Sequence, residues 1–210
     1  MEKKLVVRNL KRQSYEGVWQ MMRRFTDQRT PHTVDELWLT EHPPIFTLGQ
    51  AGKQHHLLHA TQIPMVKTDR GGQITYHGPG QLIIYTLCNL HALHKNVHQF
   101  VFCLEQVIID ALAYHDIDAE RHQGAPGVYV AGAKIGALGL RVRKGYTYHG
   151  LSLNIDMDLT PFNAINPCGY ANLPITQLSL LTKKYDLHRL QNQFISLMSQ
   201  SLGYNHIKHI

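Results

Sequence analysis

The sequence predicts a single α+β domain, and three observations carry that prediction. At 210 residues with 43% hydrophobic content, the chain fits one large domain or two small ones and can fill one sizeable core. Short runs of strand-forming residues are interspersed with segments whose apolar residues recur at helical spacing. No internal repeat, low-complexity tract or Pro/Ser-rich linker divides the chain, which favours one domain over residues 1–210, a small C-terminal subdomain being the remaining variant.

In chain order, Leu5–Leu10 reads as a short strand. Tyr15, Val18, Trp19 and Met22 then recur at i, i+3, i+4 and i+7, marking an amphipathic helix with Ser14 as its N-cap; Gly17 weakens it a little. Glu36–Thr40 reads as a strand that His42-Pro43-Pro44 breaks, and Ile45–Leu48 resumes extended character before a turn at Gly49–Gly52. Pro64–Thr68 is a further strand. Leu82–Leu87 is apolar on both faces, rich in β-formers and short, which suits a central buried strand. A helix follows, with an apolar stripe through Phe100, Leu104, Val107, Ile108 and Ala111 and with Cys103 on or near that face. From Gly127 to Val142 the pattern alternates between glycines and reads as strands turned near Gly132 and Gly136, and Leu151, Leu153 and Ile155 supply a period-two strand. A last helix has Leu187, Leu190, Phe194, Leu197 and Ser201 on its inward face and Asp186 as its N-cap.

Composition excludes several classes. The longest apolar runs fall far short of the roughly 20 residues that cross a bilayer, and the Lys-rich start Met1–Lys4 leads into no long apolar segment, so a cytoplasmic protein with no membrane partner is expected. Three cysteines, Cys88, Cys103 and Cys168, without CxxC spacing, argue against a disulfide framework and a Cys-rich zinc site. Lys and Arg number 21 against 15 Asp and Glu, a net charge of +6 that attracts an acidic partner without naming it. The 15 histidines raise that charge further in mildly acid solution.

Gly49-Gln50-Ala51-Gly52-Lys53-Gln54 lacks the spacing and hydroxyl of a P-loop, and no GxGxxG follows a strand, so neither ATP nor NAD is indicated. His55, His56 and His59 include an i, i+4 pair that holds zinc on a helix, but no third ligand is near, and a solvated cluster is the plainer reading; no metal is expected. The segment from Arg70 to Gln81 is different, because four glycines and a proline exceed what a hairpin requires. Glycine lets a ligand approach the main chain, while Arg70 and His77 supply a cation and a ring that donates or accepts; the bland alternative is a Gly-rich hairpin with surface decoration. Asn166-Pro167-Cys168-Gly169 puts a thiol in a tight exposed turn, unlike Cys88 and Cys103, which suit core filling. A thiol of pKa about 8.5 needs a nearby cation or base to act as a nucleophile at neutral pH. Lys134, among small residues in a strand-like stretch, is the candidate, although a solvated strand lysine is the simpler reading and a separation of 34 residues does not show that the two meet.

These residues make the chain resemble the octanoyltransferase family, related to the catalytic domains of biotin and lipoate ligases. The likeness runs from about Leu37 to Tyr170. It rests on His42-Pro43-Pro44 with Thr47-Leu48-Gly49-Gln50-Ala51-Gly52, Arg70-Gly71-Gly72 through Thr75, His77-Gly78-Pro79-Gly80-Gln81 and Tyr85. Ala125-Pro126-Gly127-Val128-Tyr129-Val130, Lys134-Ile135, Leu138-Gly139, His149-Gly150-Leu151 with Asn154, and Phe162 before Asn166-Pro167-Cys168-Gly169 complete it. The resemblance implies a mixed β-sheet flanked by helices in a biotin/lipoate protein ligase-like catalytic domain, and a reaction with no cofactor. It implies octanoyl transfer from octanoyl-acyl carrier protein to a lysine of the lipoyl domains of 2-oxoacid dehydrogenases and of the glycine cleavage H protein. By the same resemblance Cys168 is the nucleophile and Lys134 tunes it, while Arg70, Gly71, Gly72, Gln73, Ile74, Thr75, Tyr76 and His77, then Ala137, Leu138 and Gly139, then Gly150, Leu151 and Ser152, line the acyl site. Ala137 stands where many members have serine. A monomer is expected.

The chemistry is consistent: a thioester substrate is already activated, so nucleotide is unnecessary, and a covalent intermediate splits the transfer in two. The rivals are an ATP-dependent lipoate or biotin ligase, against which the cysteine turn speaks, and a basic nucleic-acid-binding module, whose Lys/Arg cluster with aromatic platforms is missing beyond the short Arg141-Val142-Arg143-Lys144; no nucleic-acid partner is expected.

Overall fold

A computed structural model describes residues 3–210, so Met1 and Glu2 of the basic start lie outside the described residues. In chain order the elements are β1 (Lys4–Arg12), α1 (Tyr15–Gln28), β2 (Asp35–Glu41), β3 (Ile45–Leu48), β4 (Met65–Lys67), β5 (Ile74–His77), β6 (Gln81–Leu87), α2 (Val97–Ala113), β7 (Glu120–His122), β8 (Ala125–Val130), β9 (Ala133–Arg143), β10 (Tyr146–Asn154), α3 (Leu178–Leu181), α4 (Leu187–Leu202) and β11 (His206–His209). The large sheet has the order β11-β1-β2-β6-β10-β9-β8-β7, and a small sheet has the order β4-β3-β5. Both are mixed: β1 runs parallel to β11 and β2, and β3 parallel to β4, while the other pairs are antiparallel. The α+β class is as the sequence pattern predicts, and the mixed sheet with flanking helices is as the resemblance implies.

β6 is buried at all seven positions because it lies between β2 and β10 with both faces covered. Leu82 and Ile84 join Leu151 and Leu153 in the main core beneath α2 and α4, whereas Ile83 and Tyr85 face α1 with Trp38 and Tyr148. A third cluster, including Phe46, Ile74, Tyr76 and Phe162, seats the small sheet. Ser14 caps α1 by accepting from Gly17 N–H at 3.3 Å, and Asp186 caps α4 by accepting from Arg189 N–H at 2.7 Å. No helix of the described residues is long and apolar enough to cross a membrane.

Two sequence expectations need correction. Gly136 does not turn the chain; it sits inside β9, opposite Val128 and Leu153, and a Cβ there would come within 3.0 Å of Ile108 on α2, so its bareness serves helix approach. The turn is at Gly132, where φ is +80°. On α4, Leu187 is 47% exposed and Ser201 is exposed, and the inward face is Leu190, Phe194, Ile195, Met198 and Leu202. That face shares the main core with α2. β7 and β11 escape the sequence because they are short and mostly outward-facing, without an apolar pattern.

Candidate active site

The two sheets leave a cavity of about 390 Å³ between them. Its floor is made by register: Ala137 lies opposite Ser152 and Gly139 opposite Gly150, while Ile83 and Tyr85 of β6 stand opposite Ser152 and Gly150. Four small residues in adjoining pairs leave the space that a Leu or Val would fill. Leu138 and Leu151 point to the other face, into the main core, but their backbones line the cavity. β9 pairs with β8 only as far as Gly136, and the Leu140 carbonyl accepts from Gly71 N–H at 2.8 Å, so the alternation of peptide groups turns those of Leu138 toward the gap between.

Of the expected acyl-site residues, Arg70, Gly71, Gly72, Gln73, Ile74, Thr75, His77, Ala137, Leu138, Gly139, Gly150, Leu151 and Ser152 all border this cavity, as does Cys168. Tyr76 does not: β-alternation turns its ring onto Phe46 and Phe162 in the small-sheet core. Arg70 borders the cavity but presents no free cation. Its Nε and Nη2 donate to Thr47 Oγ1 (3.0 and 2.8 Å), Nη2 also to the carbonyls of Thr47 (2.5 Å) and Gln73 (2.8 Å), and Nη1 to Gly71 O (2.8 Å). The guanidinium therefore braces its own Gly-rich loop. His77 is also committed, with Nδ1 at 2.7 Å from Gln81 Oε1, and burial, with His42 nearby, pushes it down to about 3, so it is a neutral ring.

Cys168 lies in the tight turn Pro167–Gly169 with φ +57°, a left-handed conformation uncommon for a residue with a side chain. Lys134 Nζ is 3.2 Å from its sulfur and donates to Pro126 O at 3.0 Å. The structure answers how residues so distant in sequence meet. After Cys168 the chain runs beside the start of β9, where Lys134 N–H donates to Pro174 O at 2.8 Å and Thr176 N–H donates to Lys134 O at 3.0 Å. Lys134 is 3% exposed. Burial pulls its ammonium down, but the Cys168 sulfur and the Tyr129 hydroxyl together more than offset this, and its pKa lies above the usual lysine value. Cys88 is fully buried, which pushes its thiol up, and Cys103 packs partly against the main core; both match their expected role as core filling.

Several cavity residues escape sequence reasoning. Tyr15, Ile83, Tyr85 and His149 enclose its inner end, and Val97, His98 and Tyr170 stand at the exposed rim. His149 has φ +59°, and its Nε2 lies 2.9 Å from Asp69 Oδ1. Asp69 also accepts from Trp19 Nε1 (2.8 Å) and Tyr148 OH (2.6 Å); despite partial burial these donors, His149 first, hold it well below the usual carboxylate range. The only sequence signal for any of them was that Tyr85 and His149 stand among the motif residues of the family resemblance. His55 and His56 lie in the short turn Gln54–His56, which ends before His59, so the i, i+4 spacing of His55 and His59 is not that of a helix face.

The family model described as the lipoyl protein ligase A/B catalytic domain matches residues 14–199. The chain is 48% identical over 207 residues to the octanoyltransferase of Vibrio atlanticus, covering 99% of this chain and 94% of that one. It is 58% identical over 176 residues to the octanoyltransferase of Chromobacterium violaceum, covering 84% and 85%. Among solved structures, a bi-partite lipoate protein ligase from Thermoplasma acidophilum superposes with a TM-score of 0.74 at 13% identity, covering 100% of this chain and 88% of that one. A biotin protein ligase from Aquifex aeolicus superposes with a TM-score of 0.57 at 15% identity, covering 97% and 70%. The last two show a shared fold alone; the family model and the sequence relatives show that the chain belongs to the octanoyltransferase family, whose catalytic domain is that of the lipoyl protein ligases A/B.

Proposed function

We propose that the protein transfers an octanoyl group from octanoyl-acyl carrier protein to a lysine of lipoyl domains, those of 2-oxoacid dehydrogenases and the glycine cleavage H protein, through a thioester on Cys168. The observation that carries this reading is the 3.2 Å approach of Lys134 Nζ to the Cys168 sulfur, at the edge of a cavity whose floor is built from small residues. An ammonium so close favours negative charge on sulfur, the form that attacks a thioester.

In the first step the Cys168 sulfur forms a bond to the octanoyl carbonyl carbon, and the bond from that carbon to the carrier sulfur breaks, releasing the carrier thiolate. In the second, the amine of the lipoyl-domain lysine attacks the same carbon, sulfur leaves, and the amine loses one proton. The causes acting on Lys134 suggest where that proton goes. Acylation removes the sulfur's share of what raises the lysine, leaving Tyr129 against the burial that lowers it, so Lys134 gives up its proton more readily in the acyl-enzyme and can serve as the base. Burying the six methylenes of the chain contributes roughly 5 kcal/mol at about 0.8 kcal/mol each. The net charge of +6 suits an acidic carrier.

Mixing the protein with octanoyl-acyl carrier protein is expected to give a hydroxylamine-labile octanoyl adduct on Cys168 by intact and peptide mass analysis. An adduct on Cys88 or Cys103 beside unmodified Cys168, or octanoylation that proceeds only from free octanoate and ATP, would overturn the reading.

A further inference from the structure

Behind the Cys168 sulfur lies a niche of about 10 Å³, bordered by Thr75, Gln81, Lys134, Ser152, Asn154 and Cys168 among others. That is room for about one oxygen atom with its hydrogen bonds. Strand alternation sets its lining. Leu151 and Leu153 enter the main core, so Ser152 and Asn154 face the opposite way; Ile74 and Tyr76 enter the small-sheet core, so Thr75 and His77 face the cavity.

The polar groups here divide into two kinds. The amides are spent on the protein: Gln81 pairs with His77 at 2.7 Å and donates to Asn154 Oδ1 at 2.9 Å, and Asn154 donates to Thr176 O at 3.0 Å. The hydroxyls are not. Ser152 is only 6% exposed, yet among the described residues neither its hydroxyl nor that of Thr75 has a protein partner. Elsewhere in the two sheets the hydroxyls of Thr47, Thr86 and Thr147 are all paired. Lys134 donates to Pro126 O and to the sulfur.

We infer that the hydroxyls of Ser152 and Thr75 hold the acyl carbonyl oxygen while Cys168 attacks, which makes both catalytic residues. The inference rests on the thioester reading above. As the sulfur lone pair forms the new bond to carbon, the carbonyl π pair moves onto oxygen, and the two hydroxyls donate to that oxyanion. When the pair returns, the bond to the carrier sulfur breaks and the carrier leaves as thiolate, so one sulfur anion replaces another and no proton is unaccounted for. Ser152 stands in register opposite Ala137, which offers no hydroxyl, so this donor comes from β10.

The test compares two reactions of one thiol. Acylation from an octanoyl thioester builds an oxyanion; alkylation by iodoacetamide displaces iodide and builds none. Ser152→Ala and Thr75→Val should each slow single-turnover acylation of Cys168 by on the order of 10–100-fold, and together by more, toward the loss seen when an oxyanion donor is removed. Alkylation should stay within about twofold of wild type, and Ser152→Thr should restore acylation. Unchanged acylation in the double variant means that the niche holds only water and overturns the inference. A parallel fall in alkylation also overturns it, because the hydroxyls would then act on the sulfur or on the fold. If wild-type Cys168 is alkylated but never acylated, the thioester reading falls and takes this inference with it.

Discussion

Asn154 is where a single substitution should reach furthest into this site without touching the reacting atoms. It is 5% exposed and joins two buried partners, accepting from Gln81 Nε2 at 2.9 Å and donating to Thr176 O at 3.0 Å. Thr176 in turn donates its N–H to the Lys134 carbonyl. Asn154→Ala removes both bonds and leaves one N–H of Gln81 and the Thr176 carbonyl unpaired. Each orphaned group costs about 1–3 kcal/mol, and entry of water from the adjoining niche relieves part of that, so a loss of about 2–4 kcal/mol is expected. Asn154→Asp keeps the acceptor for Gln81 but sets a carboxylate oxygen against the Thr176 carbonyl, so it should cost no less. Urea unfolding measures the first effect as a lower midpoint at unchanged slope. Alkylation of Cys168 measures the second, because loosening Thr176 loosens the strand that presents Lys134 to the sulfur, and the rate should fall several-fold. If Asn154→Ala unfolds within 0.5 kcal/mol of wild type and alkylates at the same rate, the tether is not what holds the pair together.

Other expectations follow from the same geometry. Lys134→Met keeps the side-chain stem and removes the ammonium 3.2 Å from the Cys168 sulfur. Alkylation of Cys168 at neutral pH should then slow by on the order of tenfold, and an equal rate would remove Lys134 from the mechanism. His77 is held neutral in the fold at about 3 but takes a proton near 6.5 when unfolded, so acidification below 6.5 favours the unfolded chain by about 1.4 kcal/mol per pH unit until about pH 3. Unfolding at pH 7.5 and pH 5 should therefore show about 2 kcal/mol of lost stability that His77→Gln does not lose; identical losses in both proteins would contradict a buried neutral imidazole. His42 and His149, also lowered chiefly by burial, add to the wild-type trend with the same sign.

Legibility in the sequence tracked how local each cause was. Ser14 and Asp186 were visible as caps because an N-cap acts within one helical turn, and the Leu82–Leu87 strand was visible because burial on both faces demands an unbroken apolar run. The cysteine in a proline–glycine turn was singled out because those residues constrain their own backbone. Gly136 was misread as a turn because a glycine that admits a helix against a strand looks the same in sequence as one that bends the chain. The inward face of α4 was misplaced because its apolar positions admit more than one stripe, and only the position of α2 and the sheet selects Ile195, Met198 and Leu202 over Leu187.

From its own residues the chain thus determined an α+β fold, one thiol of three held in a tight proline–glycine turn and a Gly-rich loop with room for a ligand, each of which depends on neighbours a few positions away; the thiol is half-buried rather than exposed as its turn suggests. Only the tertiary structure decided that Lys134 meets Cys168, that Arg70 turns inward while Ser152 and Thr75 keep free hydroxyls, and that Asp69 secures His149. Those contacts join segments from different strands and loops, and whether a polar side chain is spent or free depends on every group packed around it, which no reading along the chain contains.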